Sequence, residues 1–353
     1  MGLSKRRLRV SVLGAGAWGT ALAAAAAPYH DVCLWARDTD LIQSMSVHHC
    51  NARYLPEMAL PTSIRFTADL AQAIAHGCPS QASNAPALII LGTPVIGLRE
   101  MCMQLVQHLD RSSLTVPHTT ASLVWTCKGL DPHSGQLPHE IVAEVFGDSG
   151  QHELGVLSGP SFAKEVAQGL PVALTIASHH EALRATVREV FHHDPIRIYG
   201  TTDIIGVEVG GALKNIMAIA CGIADGLALG NNARAALITR GLAEMTRFGV
   251  RIGADATTFS GLTGLGDLVL TATGELSRNR QVGLALGKGQ SLPEVLASGL
   301  TAEGVRCAQA VRSRAKKLEV DMPITDSVCQ VLFNHVPVKQ AVSQLLAREA
   351  KSE

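Results

Sequence analysis

The sequence predicts an α/β protein, with a doubly wound parallel sheet followed by an all-helical C-terminal domain. From about Ile204 onward, stretches rich in alanine, leucine and glycine have helical spacing and few strand signals. Before that point, five short apolar segments alternate with helical stretches, at residues 10–13, 31–37, 87–92, 123–126 and 154–157. This alternation is typical of βαβ units around a parallel sheet. Because 353 residues exceed one ordinary core, we expect two domains, residues 1–202 and 203–353.

The first predicted strand runs directly into a glycine turn. Gly14, Gly16 and Gly19 form a G-x-G-x-x-G motif between that strand and an alanine-rich helix. In this context Gly14 allows the tight turn, Gly16 lets a pyrophosphate approach the backbone, and Gly19 lets the helix pack closely on the strand. Free N–H groups at the start of the helix then bind the phosphates. We interpret the segment as a Rossmann-type dinucleotide site rather than as a plain βα turn.

The other predicted strands also end in residues that are suited to binding loops. The five strands are followed by Gly14-Ala15-Gly16, Arg37-Asp38, Gly92-Thr93-Pro94, Cys127-Lys128-Gly129 and Ser158-Gly159-Pro160-Ser161. Ligands of doubly wound sheets bind beyond the carboxyl ends of the strands. The five loops therefore predict one shared site.

Composition excludes several classes of function. The chain has 30 basic and 30 acidic residues, so no overall field favours nucleic acid or an anionic membrane. The eight cysteines contain no C-x-x-C pair and the histidines lack ligand-like spacing, so we expect neither a metal site nor a disulfide framework. The apolar run near the N-terminus is broken by glycines and lacks a cleavage-site pattern, so we predict a cytoplasmic protein without membrane insertion.

The corner after the second strand bears on the choice of cofactor. The guanidinium of Arg37 can pair with a 2′-phosphate, which indicates NADP. The adjacent Asp38 can instead bind the ribose hydroxyls of NAD, and a plain surface pair of the two residues is the third interpretation. The predicted cofactor is therefore NADP or NAD.

Three segments of the second half contain candidate catalytic or substrate-binding side chains. Lys214 lies in an otherwise apolar helix, where desolvation would lower its pKa and make it a proton acceptor, unless it extends to solvent. Asp267 follows a glycine-rich turn and either caps a helix, orients Lys214 or binds substrate hydroxyls. The tetrad from Ser277 to Arg280 is either a phosphate clamp or a solvated loop.

Taken in order, six segments resemble the bacterial-type NAD(P)-dependent glycerol-3-phosphate dehydrogenases. They are residues 14–20, 127–130, 158–163, 211–215, 264–267 and 277–279, and the resemblance extends from about residue 8 to 335. The glycine motif alone is shared with many enzymes, but the ordered set is specific. The resemblance implies reversible hydride transfer between sn-glycerol 3-phosphate and dihydroxyacetone phosphate, which supplies glycerol 3-phosphate for phospholipid synthesis.

The resemblance also implies roles for individual residues, with Lys214 as the proton acceptor at the substrate hydroxyl. The implied substrate contacts are Lys128, Gly159, Ser161, Lys214, Asp267, Ser277, Arg278 and Asn279. Together with Gly14, Gly16 and Gly19 of the turn, the implied cofactor contacts are Ala17, Trp18, Arg37, Tyr54, Lys128, Ala163, Arg278, Thr301 and Glu303.

The sequence departs from the family pattern at several positions. Ala17 stands where serine is more usual, Thr301 replaces an apolar residue, and Gly92-Thr93-Pro94-Val95 differs from a commoner Val-Pro-Ser form. Residues 76–86 and 116–120 have the character of insertions.

Two rival functions are a dehydrogenase of the β-hydroxyacid or ketopantoate type and a non-catalytic NAD(P)-sensing protein. The phosphate tetrad argues against the first. The second would have no need of the complete set of Lys128, Lys214, Asp267 and Arg278. The expected partner is a small triose phosphate, not nucleic acid, and a homodimer is compatible with the sequence.

Overall fold

A computed structural model describes residues 7–78, 87–113, 121–147, 152–300 and 302–347. The chain divides into two compact units, the first with residues 1–127 and 138–204, the second with 128–137 and 205–353. The predicted domains, 1–202 and 203–353, place the segment 128–137 in the first domain, whereas it packs with the second unit. Residues 79–86 of the first predicted insertion, all of the second, and Thr301 lie outside the described residues.

Ten strands belong to the described part of the first unit, eight of them in one sheet. In chain order they are β1 (Arg9–Leu13), β2 (Asp31–Trp35), β3 (Cys50–Asn51), β4 (Leu55–Ala59), β5 (Arg65–Thr67), β6 (Ala87–Leu91), β7 (Ser122–Trp125), β8 (Glu153–Ser158), β9 (Val172–Ala177) and β10 (Ile196–Thr201). The large sheet has the order β10-β9-β8-β7-β6-β1-β2-β5, and β3 pairs with β4.

The predicted doubly wound sheet is confirmed, with one difference in strand direction. The five predicted strands are β1, β2, β6, β7 and β8, and they are joined by parallel pairing. The pair β8–β9 is antiparallel, so β9 and β10 run opposite to the rest of the sheet. Leu13 lies in register with Trp35 and Leu91, so the carboxyl ends of the central strands share one edge.

Helices cover the sheet of the first unit, and the described part of the second unit contains helices and loops without a strand. The first unit has α1 (Ala17–Ala26), α2 (Thr39–His48), α3 (Leu70–Gly77), α4 (Leu98–Ser113), α5 (Pro138–Phe146), α6 (Ala163–Ala167) and α7 (Glu181–Phe191). The helices after α7 are α8 (Ile204–Gly226), α9 (Gly230–Arg251), α10 (Asp267–Thr273), α11 (Arg278–Gly287), α12 (Leu292–Ala297), α13 (Glu303–Lys317), α14 (Pro323–Phe333) and α15 (Val338–Leu346). The expected all-helical character of the C-terminal domain is confirmed.

Helix α8 is the core of the second unit. It is long and apolar enough to cross a membrane, but most of it is buried inside the unit, as in the core helix of a globular domain. Its backbone touches that of α11, because a Cβ on Gly222 would lie 2.1 Å from the carbonyl oxygen of Arg280. A Cβ on Gly283 would lie equally close, at 2.1 Å, to the oxygen of Ile219. The two glycines therefore set a very short distance between α8 and α11.

A buried carboxylate on α9 caps the start of α14. Glu244 is 1% exposed, and its Oε1 accepts the backbone N–H of Ile324 at 2.5 Å. Its Oε2 accepts the backbone N–H and the hydroxyl of Thr325 at 3.3 and 3.2 Å. Burial raises the pKa of Glu244 to about 7, although these hydrogen bonds favour the ionised form and work in the opposite direction. The cap thus titrates near neutral pH.

The raised pKa predicts a pH-dependent effect of Glu244→Gln. Between the unfolded pKa near 4.5 and the folded value of about 7, the native state binds the extra proton, so wild-type stability falls as pH rises. Glutamine keeps the acceptor oxygen and does not titrate. Relative to the wild type, the variant should gain about 2–3 kcal/mol of unfolding free energy between pH 5 and pH 8.

Urea unfolding followed by circular dichroism at both pH values measures this difference. Glu275→Gln, which changes an exposed carboxylate, is the matched control. An equal response to pH in both variants would contradict the assignment.

Candidate active site

The glycine turn between β1 and α1 has the geometry that the motif predicts. Gly14 has φ +128°, and its backbone N–H donates to the carbonyl oxygen of Trp35 at 2.9 Å. A Cβ on Gly14 would lie 2.8 Å from the backbone of Gly92, and one on Gly19 would lie 2.0 Å from the oxygen of Gly14. Neither position tolerates a side chain, so the turn and its helix are held by backbone contact.

The same turn leaves room for an anion. Gly16 is the N-cap of α1, its Cβ would meet nothing within 4 Å, and no side chain caps the helix. The first N–H groups of a helix have no intrahelical partner and attract phosphate. Nearby, the buried Oγ1 of Thr93 has no hydrogen-bond partner among the described residues. Free donors beside open space fit the pyrophosphate of a dinucleotide, and Ala17 and Trp18 are the first two residues of the helix.

The remaining predicted residues of the first unit follow strand ends or short loops. Arg37, two residues after β2, and Tyr54, in the β3–β4 turn, are exposed. Gly159 follows β8 with φ +136° and accepts the hydroxyl of Ser161 at 3.2 Å. Ala163 is half-buried at the first position of α6.

In the second unit, a buried carboxylate joins two lysines. Asp267 has no exposed side-chain surface, its Oδ1 lies 2.5 Å from Nζ of Lys214, and its Oδ2 lies 2.7 Å from Nζ of Lys128. The ammonium of Lys214 also donates to Oγ1 of Thr271 at 2.9 Å. Lys214 therefore does not extend to solvent, and Asp267 orients it. Lys128 belongs to the segment 128–137, which packs with the second unit and so brings Lys128 to Asp267.

Burial changes the acidity of Lys214. Desolvation lowers its pKa to about 8, assisted by the positive charge of Lys128 and opposed by the carboxylate of Asp267. An amine with this pKa exchanges a proton readily near neutral pH, as general acid–base catalysis requires. Two ammonium groups around one carboxylate leave the cluster with net positive charge, which favours an anionic ligand.

Polar contacts also join the helices that surround this cluster. Asn279 donates from Nδ2 to Oδ1 of Asn215 at 3.0 Å and accepts the backbone N–H of Gly304 at 2.9 Å. The Oγ of Ser277 caps α11 by accepting the backbone N–H of Arg280 at 3.2 Å. Asn279 and Ser277 thus form hydrogen bonds within the protein in addition to any contact with a ligand.

Two predicted charged residues lie at the starts of these helices. Arg278 is exposed at the first position of α11, where a helix N-terminus adds to its attraction for anions. Glu303 is half-buried at the first position of α13.

The fourth residue of the tetrad is engaged elsewhere. Arg280 donates through Nε to Oδ2 of Asp225 at 2.8 Å, and Arg234 donates through Nη2 to Oδ1 at 2.6 Å. Asp225 lies near the end of α8, so the pair ties α11 to the helix that carries Lys214. Arg280 therefore already has a carboxylate partner in the protein, and a phosphate clamp formed by all four residues of the tetrad stays a prediction.

Sequence reasoning missed Thr271, Asn215 and Asp225. Thr271 could have been found, because it is four residues after Asp267 on α10 and thus on the same helix face. Asn215 is next to Lys214 in the sequence, and this position was the signal that could have drawn attention to it. No sequence signal marks Asp225, since its partner Arg280 is 55 residues away.

Comparison with known proteins identifies the family. The N-terminal model of NAD-dependent glycerol-3-phosphate dehydrogenase matches residues 9–184, and the C-terminal model matches residues 203–343. The chain belongs to the NAD-dependent glycerol-3-phosphate dehydrogenase family. It is 53% identical over 349 residues to a glycerol-3-phosphate dehydrogenase [NAD(P)+] of Ralstonia nicotianae, covering 98% of this chain and 99% of the relative. A Burkholderia lata protein of the same description is 54% identical over 347 residues, covering 98% and 100%.

Solved structures agree with this family assignment. The crystal structure of glycerol-3-phosphate dehydrogenase from Coxiella burnetii is similar with a TM-score of 0.86 and 38% identity, covering 97% of this chain and 99% of that one. A D-mandelate dehydrogenase with NADH and anilino(oxo)acetate reaches a TM-score of 0.58 at 13% identity, covering 96% and 99%. The second likeness concerns the fold alone. The chain is accordingly an oxidoreductase of the glycerol-3-phosphate dehydrogenase family with an NAD or NADP cofactor.

Proposed function

We propose that this protein interconverts sn-glycerol 3-phosphate and dihydroxyacetone phosphate, with Lys214 as the catalytic acid and base. The single observation that carries the assignment is the buried Lys214–Asp267–Lys128 cluster, in which an amine of pKa about 8 is held by a carboxylate and a threonine. A dinucleotide with its pyrophosphate at the glycine turn would supply, through its nicotinamide, the acceptor or donor of the hydride.

Lys214 accepts and returns the proton of the reacting hydroxyl. In the oxidation direction, the neutral amine takes the proton from the C2 hydroxyl as the C2–H bond breaks and the C2=O bond forms. Asp267 stabilises the resulting ammonium at 2.5 Å, and Thr271 fixes the direction of one N–H bond. In the reduction direction, the ammonium returns the proton to the developing alkoxide.

The phosphate of the substrate is bound by the local positive charge. Lys128 and Arg278 are the basic side chains that we assign to it, with the start of α11 adding the favourable end of a helix dipole. Asn279 and Ser277 hold this helix start in place and each retain a donor for the substrate. Gly159 and Ser161 are proposed as further substrate contacts.

The proposed physiological direction is reduction of dihydroxyacetone phosphate. Supply of glycerol 3-phosphate for phospholipid synthesis is compatible with an NADPH-dependent reductase, and the neutral overall charge is compatible with a cytoplasmic location. The homodimer stays a prediction.

Initial rates with each reduced cofactor test the activity. We expect oxidation of NADPH or NADH with dihydroxyacetone phosphate, and no oxidation with ketopantoate or a 3-oxo acid, because these acids carry a single carboxylate charge and lack the phosphate group that we assign to Lys128 and Arg278. Absorbance at the nicotinamide band measures the rate. Turnover of ketopantoate instead would favour the first rival, and cofactor binding with no turnover would favour the second.

Lys214→Ala should lower turnover by about three orders of magnitude or more and leave cofactor affinity nearly unchanged. The variant removes the proton acceptor, whereas the glycine turn belongs to the other unit. Steady-state kinetics and nicotinamide fluorescence measure the two effects. Lys164→Ala, an exposed lysine on α6, is the control. Near-normal turnover of Lys214→Ala would refute the role of Lys214.

The pKa of Lys214 predicts opposite pH profiles for the two directions. Oxidation needs the neutral amine, so its kcat/KM should rise with pH and level off above about 8. Reduction needs the ammonium, so its kcat/KM should fall above the same pH. Asp267 raises the pKa of Lys214, and Asp267→Asn should therefore shift both limbs to lower pH. If the profiles do not shift in Asp267→Asn, the titrating group is not Lys214.

A further inference from the structure

The carboxylate after β2 is already engaged within the first unit. Oδ1 of Asp38 caps α2 by accepting the backbone N–H of Leu41 at 3.0 Å. Oδ2 accepts Nη1 of Arg53 at 2.7 Å. These contacts hold the pKa of Asp38 below its usual range, chiefly through the Leu41 N–H and next through Arg53. Each oxygen that could bind a ribose hydroxyl therefore already accepts a hydrogen bond from the protein.

The β3–β4 turn, which contains Arg53, is anchored to the glycine turn through Asn51. Asn51 is fully buried, and its Nδ2 donates to the carbonyl oxygen of Ala15 at 2.9 Å and to Oγ1 of Thr20 at 2.8 Å. Its Oδ1 accepts the backbone N–H of Tyr54 at 3.1 Å. The β3–β4 turn, which carries Arg53, is thus fixed against the dinucleotide turn by buried hydrogen bonds.

We propose that Arg53 is a positioning residue for cofactor specificity, which acts by holding and neutralising Asp38 so that the corner beside Arg37 accepts a 2′-phosphate. The inference deepens the proposed function, because it rests on the glycine turn binding a nicotinamide cofactor. A free carboxylate at this corner would bind the 2′-hydroxyl of NAD and repel the charge of a 2′-phosphate. With Arg53 in place, that repulsion is cancelled and Arg37 remains exposed.

The pair contributes little to stability. Its side chains are 59% and 42% exposed, and such surface ion pairs have small effects on folding. A charge left beside a phosphate that carries nearly two negative charges has a larger effect on binding. Substitution of Arg53 should therefore change cofactor affinity without unfolding the protein.

Direct binding of NADPH and NADH, without substrate, tests the proposal. Nicotinamide fluorescence titrations should show that Arg53→Ala weakens the binding of NADPH by about tenfold. The affinity for NADH should stay within about twofold of the wild type. Asp38→Asn keeps the helix cap and should leave NADPH as tight as in the wild type or tighter. The double variant should regain wild-type affinity for NADPH to within about twofold, because Arg53 acts through Asp38.

Arg65→Ala is the matched control. Arg65 is also an exposed arginine of the first unit and pairs with Asp31 at 2.5 Å, but Asp31 begins β2 and so lies at the opposite end of the strand from Asp38. This variant should change neither affinity. Arg37→Asp provides the positive reference, since it should weaken NADPH far more than NADH.

Four results would overturn the proposal. Equal weakening of both cofactors by Arg53→Ala would indicate a general distortion of the β3–β4 turn, and an unchanged NADPH affinity would show that Arg53 has no role. Failure of Asp38→Asn to rescue the double variant would mean that Arg53 contacts the phosphate itself. Because these titrations contain no substrate, they remain valid if triose phosphates are not turned over. Binding of neither cofactor by the wild type would refute both proposals.

Discussion

The carboxylate of Asp267 is buried without exposed surface, and the organisation of the second unit around the site follows from this constraint. Removal of a carboxylate from water costs several kcal/mol unless opposite charges and hydrogen bonds replace the lost hydration. Lys128 and Lys214 supply those charges, one to each oxygen. Three ions in one place explain how a chain of zero net charge can attract an anion.

The contacts around α8 keep this ionic cluster in a defined geometry. The close approach of α8 to α11 leaves no space for slippage, since backbone atoms of the two helices are in contact at Gly222 and Gly283. Asp225 and Asn215 then fix the start of α11 by polar bonds to Arg280 and Asn279. A catalytic amine must be placed within fractions of an ångström, and a rigid frame of packed helices suits that demand better than a loop.

Much of the fold could be predicted because the central strands are continuous apolar runs that end in glycine or polar loops. The strands β9 and β10 were not predicted, and their reversed direction depends on pairing across the sheet, which no local pattern encodes. Lys128 and Lys214 could be selected from their surroundings in sequence. By contrast, the partners of Arg280 and Arg53 are set by tertiary packing, so a basic residue that binds a ligand and one that binds a carboxylate look alike in the sequence.

The apolar length of α8 has a consequence for the synthesis of this chain. Its 23 residues leave the ribosome before α11 and α13, which later cover it, and more than 75 residues separate the end of α8 from the start of α13. At about 5–20 residues per second, that interval lasts several seconds. During this time the apolar surface of α8 lacks its native covering, so its burial depends on the later synthesis of α11 and α13.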